Sequence, residues 1–133
     1  MTASQTHYTA HATHLLQRII PEFFRDLDAD NSEKLKQAFD SDATLLVDGR
    51  PIQGAVAIAN YLVQYRTEHA VLAVDAHPLD GEKHGVEMHD LIVLTTGYVR
   101  PVGTELSRPF AFTFRFNSGS NELIASGVYR ITR

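Results

Sequence analysis

The spacing of apolar residues changes along the chain and divides it into a helical part and a strand part. Over residues 8–27 apolar side chains recur every three or four positions, which is the repeat of one face of an amphipathic helix. Pro21 stands inside this stretch, and a proline in a helix removes one hydrogen bond and clashes with the carbonyl four residues earlier. We therefore predict a long first helix that is kinked near residues 17–21 and then continues.

Two shorter helices are predicted downstream. Residues 26–32 are polar and turn-like, and Ser32 can cap a second helix over residues 33–39. Residues 55–65 carry apolar side chains within helical reach of one another, which predicts a third helix.

A β-hairpin is predicted between the second and third helices. Residues 43–47 form a short apolar segment, Asp48-Gly49 is a dipeptide typical of tight hairpin turns, and residues 51–53 begin the return strand. We expect Gly54 to end the hairpin before the third helix starts.

After Arg66 the apolar repeat becomes two, which is typical of β-strands. Strands are predicted over residues 68–78, 86–100 and 122–131, with loops or turns at residues 80–85, 101–109 and 117–121. One further strand carries alternate phenylalanines whose side chains share one face of the sheet, namely Phe110, Phe112, Phe114 and Phe116.

This order of elements indicates an α+β fold, with three N-terminal helices packed on one face of a curved antiparallel sheet. The phenylalanine face is expected to lie against the helices, because four exposed phenylalanines in a row would promote aggregation. The chain shows no repeat, linker or low-complexity segment, so residues 1–133 are expected to form a single domain.

The opposite face of the sheet is expected to be partly apolar. On the last strand the outward set is predicted to be Ile124, Ser126, Val128 and Arg130. Leu94 and Thr96 are expected beside this set on a neighbouring strand. Charged residues are sparse here, which favours a protein–protein interface over a solvated surface.

Four segments resemble the nuclear transport factor 2 family and follow one another in that family's order. They are residues 44–58 (TLLVDGRPIQGAVAI), 74–78 (VDAHP), 93–97 (VLTTG) and 124–130 (IASGVYR). Together they span almost the whole chain. The resemblance implies the cone-shaped fold of that family, which hosts carriers, receptor subunits and enzymes, so the fold alone leaves the function open.

Within this family the chain looks most like the small subunit of the nuclear mRNA export receptor heterodimer. The likeness rests on residues 124–126, on the Tyr129-Arg130 pair and on the lack of acidic residues shortly after Gly97. It implies a non-catalytic subunit that pairs sheet to sheet with the homologous domain of a larger mRNA export receptor, with Arg130 meeting an acid on the partner. The implied partner-binding residues are Arg130, Val128, Ser126, Arg115, Thr113, Leu94 and Thr96.

Two alternatives within the same family stay open. A homodimeric import carrier for GDP-bound Ran would use acidic residues after the glycine that matches Gly97, whereas this chain has Arg100 there and no acid before Glu105. An isomerase or dehydratase would need an acid–base residue within reach of a substrate inside the cone. The candidates for lining that cone are Tyr61, Tyr65, Asp75, His77 and Tyr129.

The charge balance argues against strong direct binding of nucleic acid. Twelve Lys and Arg residues against sixteen Asp and Glu residues give a formal net charge of -4, whereas phosphate binding needs a positive excess. We therefore expect RNA and nucleoporin contacts to be made through the complex, with the chain in the nucleus, at the nuclear pore and in the cytoplasm. No apolar run approaches the roughly 20 residues that cross a bilayer, so no membrane insertion is expected.

No cofactor or metal is expected. The chain has no cysteine, which excludes thiolate zinc sites and iron–sulfur clusters. His7, His11 and His14 could share one helical face, but no acidic residue completes a zinc site, and solvated histidines are the favoured interpretation.

A calcium loop is also rejected. Asp26, Asp28 and Asp30 imitate its first three ligand positions. The twelfth position is Gln37 instead of the bidentate glutamate that closes such a loop. We interpret this acidic segment as a turn between two helices.

Overall fold

The helices precede most of the sheet in the chain, as predicted. The computed structural model describes residues 10–79, 82–83, 86–87, 90–117 and 122–132. Within that part of the chain, no helix is long and apolar enough to cross a membrane.

The first helix contains an irregular turn just before its proline. Residues 10–14 are α-helical, Leu15–Ile19 form a π-helical segment, and helix α1 continues over Ile20–Asp28. The Ile20 N–H donates to the Leu15 carbonyl, five residues back. Because Pro21 has no N–H, a wider turn at this place accommodates it without ending the helix. A π segment therefore stands where the kink was predicted, and the helix continues as expected.

Helix α2 spans Ser32–Ala38 and helix α3 spans Ala55–Leu62. The predicted cap of α2 is wrong by one residue, since the Asn31 side chain accepts the Lys34 N–H at 3.2 Å and Ser32 is already helical. Gly54 precedes α3 with a φ of 95°, a backbone conformation that favours glycine.

Six strands form one mixed sheet in the order β2-β1-β8-β7-β6-β3. Two short strands, β4 and β5, pair with each other. The strand bounds are β1 Phe39–Val47, β2 Arg50–Gln53, β3 Thr67–Leu79, β4 Glu82–Lys83, β5 Val86–Glu87, β6 Asp90–Pro101, β7 Arg108–Phe116 and β8 Ile124–Ile131.

One strand pair runs parallel, although the sequence predicts an antiparallel sheet. The pairs β3–β6, β6–β7 and β7–β8 are antiparallel as expected, and β1 with β2 form the predicted hairpin. Strand β1 is parallel to β8. These two strands are far apart in sequence, so no hairpin turn dictates their relative direction, and apolar alternation is the same for either direction.

The predicted loop over residues 80–85 contains β4, and the predicted strand over residues 86–100 is divided into β5 and β6. Residues 80–81, 84–85, 88–89 and 118–121 lie outside the described part of the chain, as does most of the predicted turn at residues 117–121.

The sheet bends where β3 and β6 come unusually close. The register shifts between Val71 and Ala73, which leaves Leu72 as an extra residue in β3. Opposite this bulge, a Cβ atom on Gly97 would lie 1.9 Å from the Ala70 carbonyl oxygen. Glycine is therefore required at this contact, and the bulge contributes to the curvature that gives the sheet a concave face.

The concave face carries the hydrophobic core. Phe110, Phe112, Phe114 and Phe116 are all buried, as predicted from their alternation. Phe23 of α1 contacts the rings of Phe112 and Phe114 edge to face, with centroids 5.3 and 5.0 Å away. Such aromatic pairs add to the stabilisation that burial provides.

A second bulge corrects one residue of the predicted outer face. Arg115 pairs with Ser126, but the next residue, Phe116, pairs with Ile124, so Ala125 is an extra residue in β8. Ile124 is consequently turned to the core and is 1% exposed. Its placement on the outer face was wrong because strict alternation assumes an uninterrupted strand.

Candidate functional site

The two faces of the sheet carry two different candidate sites. The outer, convex face holds all seven residues that were predicted to bind a partner, and strand register brings them side by side. Leu94, Thr113 and Val128 form one row across β6, β7 and β8. On either side of that row lie the rows Ile92, Arg115 and Ser126, and Thr96, Ala111 and Arg130.

This outer face is more apolar than an ordinary solvated surface. Val128 is 47% exposed, and Leu94, Tyr98 and Leu46 are also exposed. Leu46 was not predicted to belong here, because its place beside Val128 follows from the parallel pairing of β1 with β8. A shallow groove of about 310 Å³ crosses the face between Leu46 and Arg115.

The two arginines on this face are in different electrostatic situations. Arg115 Nη2 donates to Asp90 Oδ2 at 2.8 Å, so its charge is already balanced. Arg130 is exposed, and among the described residues no carboxylate forms an ion pair with it. Arg130 is therefore the cation of this face that can meet an acid from another molecule.

Asp75 and His77 also lie on the outer face, where their side chains are exposed. Asp75 pairs with Leu94 and His77 with Ile92, whereas Val74 and Ala76 point towards the core. Their proposed place inside the cone was wrong, because the bulge at Leu72 and the strand alternation turn them outward. Neither residue can act as an acid–base group in the cone.

The concave side encloses a cavity of about 460 Å³ between the helices and the sheet. Three of the predicted lining residues, Tyr61, Tyr65 and Tyr129, do line it. The remaining lining residues are Leu27, Val47, Asp48, Leu62, Thr67, His69, Val99, Pro101, Arg108 and Ile131.

A chain of hydrogen bonds, Asp28–His69–Tyr129, forms the polar part of the cavity floor. His69 Nδ1 lies 2.7 Å from Asp28 Oδ1, and its Nε2 lies 2.6 Å from the Tyr129 hydroxyl oxygen. The His69 side chain is 1% exposed. Because a carboxylate only accepts, Nδ1 carries the proton that is donated to Asp28, and in the neutral ring Nε2 accepts from Tyr129.

Asp28 holds the histidine in place from two directions. Its Oδ2 accepts the His69 backbone N–H at 2.7 Å, and its Oδ1 also accepts a longer bond of 3.4 Å from the Thr67 hydroxyl. Together with the ring contact, these bonds connect the end of α1 to the start of β3. The imidazole orientation is thus set by a helix and a strand that are far apart in sequence.

Tyr129 remains a neutral phenol in this environment. Burial raises the pKa of Tyr129 far above its ordinary value of about 10, and the nearby Asp28 and Asp48 carboxylates raise it further. The same effects disfavour any other negative charge at this position. Tyr129 is therefore suited to hydrogen bonding and not to acting as a base.

Arg108 brings a positive charge to the wall of the cavity. Strand pairing places His69, Val99 and Arg108 in one row across β3, β6 and β7. The guanidinium forms no ion pair with any residue in the described ranges.

Two cavity residues, His69 and Arg108, were not predicted from the sequence, nor was Asp28 as the acceptor behind His69. Asp28 was considered only in the context of a calcium loop, and the inward alternation of His69 with Val71 in β3 was the available signal for the histidine. In the structure Asp30 pairs with Arg66 at 3.0 Å.

The described residues contain no group of three or more metal-ligating side chains. His14 Nε2 lies 2.7 Å from Glu122 Oε1, and His7 lies outside the described residues.

Comparison with known proteins supports the fold and does not identify the function. The chain matches no family model, and no curated protein matches its sequence. It is similar to nuclear transport factor 2 of Cryptosporidium parvum, with 18% identity over 87% of this chain and 90% of the other, and a TM-score of 0.69. The architecture is therefore the nuclear transport factor 2-like cone that the resemblance implied.

Two further solved structures show how varied proteins with this fold are. The Mtr2–Mex67 M domain complex of Candida albicans is 16% identical over 90% of this chain and 95% of that one, with a TM-score of 0.68. The β subunit of benzoate 1,2-dioxygenase from Burkholderia mallei is 12% identical over 88% of each chain, with a TM-score of 0.63. At these identities the likeness shows the fold alone.

Proposed function

We propose that this protein is a non-catalytic subunit that pairs through its outer sheet face with a second domain of the same fold. In this proposal the second domain belongs to a larger mRNA export receptor, and the complex carries mRNPs through nuclear pores. The observation that carries the proposal is the outer face itself, where seven residues chosen from the sequence form three adjacent rows.

The composition of these rows supports association over simple exposure to water. Apolar side chains such as Leu94 and Val128 lie at the centre, and Thr113 between them carries no charge. Interfaces are depleted of charge at their centre and polar at their rim. A partner that covers about 800 Å² of this face would form an interface of ordinary size.

Arg130 determines which partners fit the proposed interface. Its charge lacks a partner among the described residues, so a partner carboxylate opposite it would form a charge-assisted hydrogen bond, bidentate if the geometry allows. A partner without that acid would leave the guanidinium covered and unpaired, which is unfavourable. Arg130 therefore favours a partner that places a carboxylate opposite it.

The choice of an export receptor as partner rests on the sequence resemblance and on the similarity to the Mtr2–Mex67 M domain complex. The net charge of -4 supports the assignment of RNA contacts to the partner. Nucleoporin contacts through the complex, and a location in the nucleus, at the pore and in the cytoplasm, are parts of the same proposal.

Absence of catalysis is also proposed, on three grounds. Asp75 and His77 point away from the cavity, and Tyr129 is held as a neutral phenol. Both nitrogens of His69 are hydrogen-bonded within the protein, so in this arrangement His69 does not contact a substrate directly and reaches one through Tyr129.

The test is co-purification of the chain with the nuclear transport factor 2-like domain of an export receptor from the same organism. We expect Val128→Glu and Arg130→Ala to abolish pairing while thermal unfolding stays near that of the unchanged chain. Val56→Glu is the matched control for the first substitution, because Val56 is 58% exposed on helix α3 and does not belong to the outer face of the sheet. Normal pairing of both interface variants would refute the assignment.

An import carrier for GDP-bound Ran is the rival within the same fold. Arg100, which stands where that carrier would need acidic residues, donates to the Thr104 carbonyl at 2.7 Å and also pairs with Glu68. A pull-down with GDP-loaded Ran distinguishes the two. We expect no retention of Ran, and specific retention would replace the export proposal with the import one.

A further inference from the structure

We propose that the cone cavity binds a small aromatic acid that carries a hydroxyl group at the end opposite its carboxylate. The hydroxyl would donate to Tyr129 and the carboxylate would pair with Arg108. This binding site is separate from the outer face and does not depend on the proposed pairing.

The size and lining of the cavity fit a ligand of this kind. A volume of about 460 Å³ lies within the range of about 300–1,000 Å³ that is common for small-molecule pockets. Apolar side chains such as Leu27, Val47 and Val99 form much of the wall, with Tyr61 and Tyr65 contributing aromatic rings. An aromatic body is well accommodated between such groups.

The floor of the cavity requires a hydrogen-bond donor. With a neutral His69 ring, the Tyr129 proton is directed to His69 Nε2, since His69 Nδ1 donates to Asp28. The lone pairs of its oxygen are then what Tyr129 presents to a ligand. A hydroxyl proton satisfies them, whereas another acceptor would not.

The electrostatic potential at the cavity floor determines which end of the bound ligand lies at Tyr129. The Asp28 and Asp48 carboxylates, together with burial, raise the pKa of Tyr129, so the potential at this point opposes a second negative charge. The neutral end of an acid should therefore lie at Tyr129. Its carboxylate should lie further along the cavity, away from the Asp28–His69–Tyr129 hydrogen bonds and beside Arg108.

Arg108 supplies the matching charge at a suitable separation. It lies four residues before Phe112, the strand partner of Tyr129, which corresponds to about 13 Å between the two backbones along the strand. Both side chains line the cavity, and the Tyr129 hydroxyl extends to His69, which lies in the same cross-strand row as Arg108. An elongated ring compound with its two polar groups at opposite ends can reach both.

Calorimetric titration with three related probes tests the proposal on the unmodified protein. The probe 4-hydroxycinnamate carries both polar groups, cinnamate lacks the hydroxyl, and 4-hydroxycinnamyl alcohol lacks the carboxylate. We expect saturable binding of 4-hydroxycinnamate and at least about tenfold weaker binding of each of the other two. No saturable binding of 4-hydroxycinnamate, or equal binding of all three, would overturn the proposal.

Two variants assign the groups to their partners. Arg108→Met should reduce 4-hydroxycinnamate affinity to that of 4-hydroxycinnamyl alcohol and leave the affinity for the alcohol unchanged. Tyr129→Phe should remove the difference between 4-hydroxycinnamate and cinnamate. Arg18→Met is the matched control, because Arg18 pairs with Glu22 on the first helix and lies outside the cavity.

Failure of this proposal and failure of the pairing proposal are distinguishable. Val128→Glu on the outer face should leave probe affinity unchanged, and Arg108→Met should leave co-purification with the receptor domain unchanged. Equal weakening of both 4-hydroxycinnamate and the alcohol by Arg108→Met would contradict the assignment of the carboxylate to Arg108. If Tyr129→Phe does not fold, the Arg108 variant and the three probes still decide the question.

Discussion

Asp28 is the residue on which the polar floor of the cone depends. It is the last residue of α1, where the helix dipole disfavours a negative charge. It nevertheless accepts hydrogen bonds from the backbone and the ring of His69, and a longer one from Thr67. These donors compensate for the unfavourable position, and they connect the first helix to the sheet.

Replacement of Asp28 should therefore destabilise the protein more than replacement of a neighbouring aspartate. We expect Asp28→Ala to lower the free energy of unfolding by about 2–3 kcal/mol, because the His69 N–H and ring would lose their acceptor in a partly buried place. Asp26→Ala on the same helix is the control, and it should change the free energy of unfolding by less than about 0.5 kcal/mol. Urea unfolding measures both, and similar losses would contradict the assigned role of Asp28.

Tyr129 should make the protein less stable at alkaline pH. The folded-state pKa of Tyr129 is raised by burial, Asp28 and Asp48, so above about pH 10 the unfolded chain loses this proton while the folded chain keeps it. Since the unfolded state then binds fewer protons, the free energy of unfolding falls as pH rises. The contribution of Tyr129 is fully present below pH 10 and declines by up to about 1.4 kcal/mol per pH unit above it.

Urea unfolding at a series of pH values on both sides of 10 measures this decline. Tyr129→Phe should make it shallower, because phenylalanine has no proton to lose. Tyr65→Phe is the matched control, since the Tyr65 side chain is exposed at the mouth of the same cavity, and it should leave the decline unchanged. An equally steep decline in the Tyr129 variant would show that another group is responsible.

At the scale of elements, the bulges determine which side chains face which side. The extra residue Leu72 in β3 and the extra residue Ala125 in β8 each reverse the alternation within a strand. The first accompanies the outward position of Asp75 and His77, and the second turns Ile124 into the core. Two errors of the sequence analysis thus have the same physical cause, which is a backbone irregularity that alternation does not reveal.

The bulge in β3 should be sensitive to the residue opposite it. Gly97→Ala would place a Cβ atom 1.9 Å from the Ala70 carbonyl oxygen, so the two strands would have to separate. We expect a loss of about 3 kcal/mol in the free energy of unfolding. Gly103→Ala, at a turn with open space and a φ of 89°, should cost only about 1 kcal/mol. Equal effects in urea unfolding would show that the close approach is not limiting.

For the whole molecule, the parallel pairing of β1 with β8 enlarges the outer face. It adds Thr44 and Leu46 beside Ser126 and Val128, which extends the apolar surface by one strand beyond the predicted residues. If the pairing proposal is right, the partner should contact this strand as well.

Leu46→Lys should therefore weaken pairing with the receptor domain at least about tenfold, because it places a charge within the apolar part of the interface. Leu106→Lys is the matched control, since Leu106 is 58% exposed in the segment between β6 and β7. Titration of each variant with the receptor domain measures the two affinities, and only the Leu46 variant should bind more weakly. Unchanged affinity in the Leu46 variant would restrict the interface to β6, β7 and β8.

The sequence alone was enough to predict the helices, the hairpin and the long strands, because each depends on local repeat and turn chemistry. The alternation of Phe110 to Phe116 also identified the buried face, and with it the outer rows at Leu94, Thr113 and Val128. These predictions succeeded where strands are regular, since a repeat of two then assigns every side chain to a face.

Tertiary structure decided the features that join distant parts of the chain. The meeting of Asp28, His69 and Tyr129 requires a helix end, one strand and the last strand to come together, and no local pattern specifies it. The parallel direction of β1 is likewise not specified by its own residues, since apolar alternation is the same for either direction. Local physical chemistry thus determined the elements and the buried face, whereas long-range packing decided the cavity, its charges and the extent of the outer face.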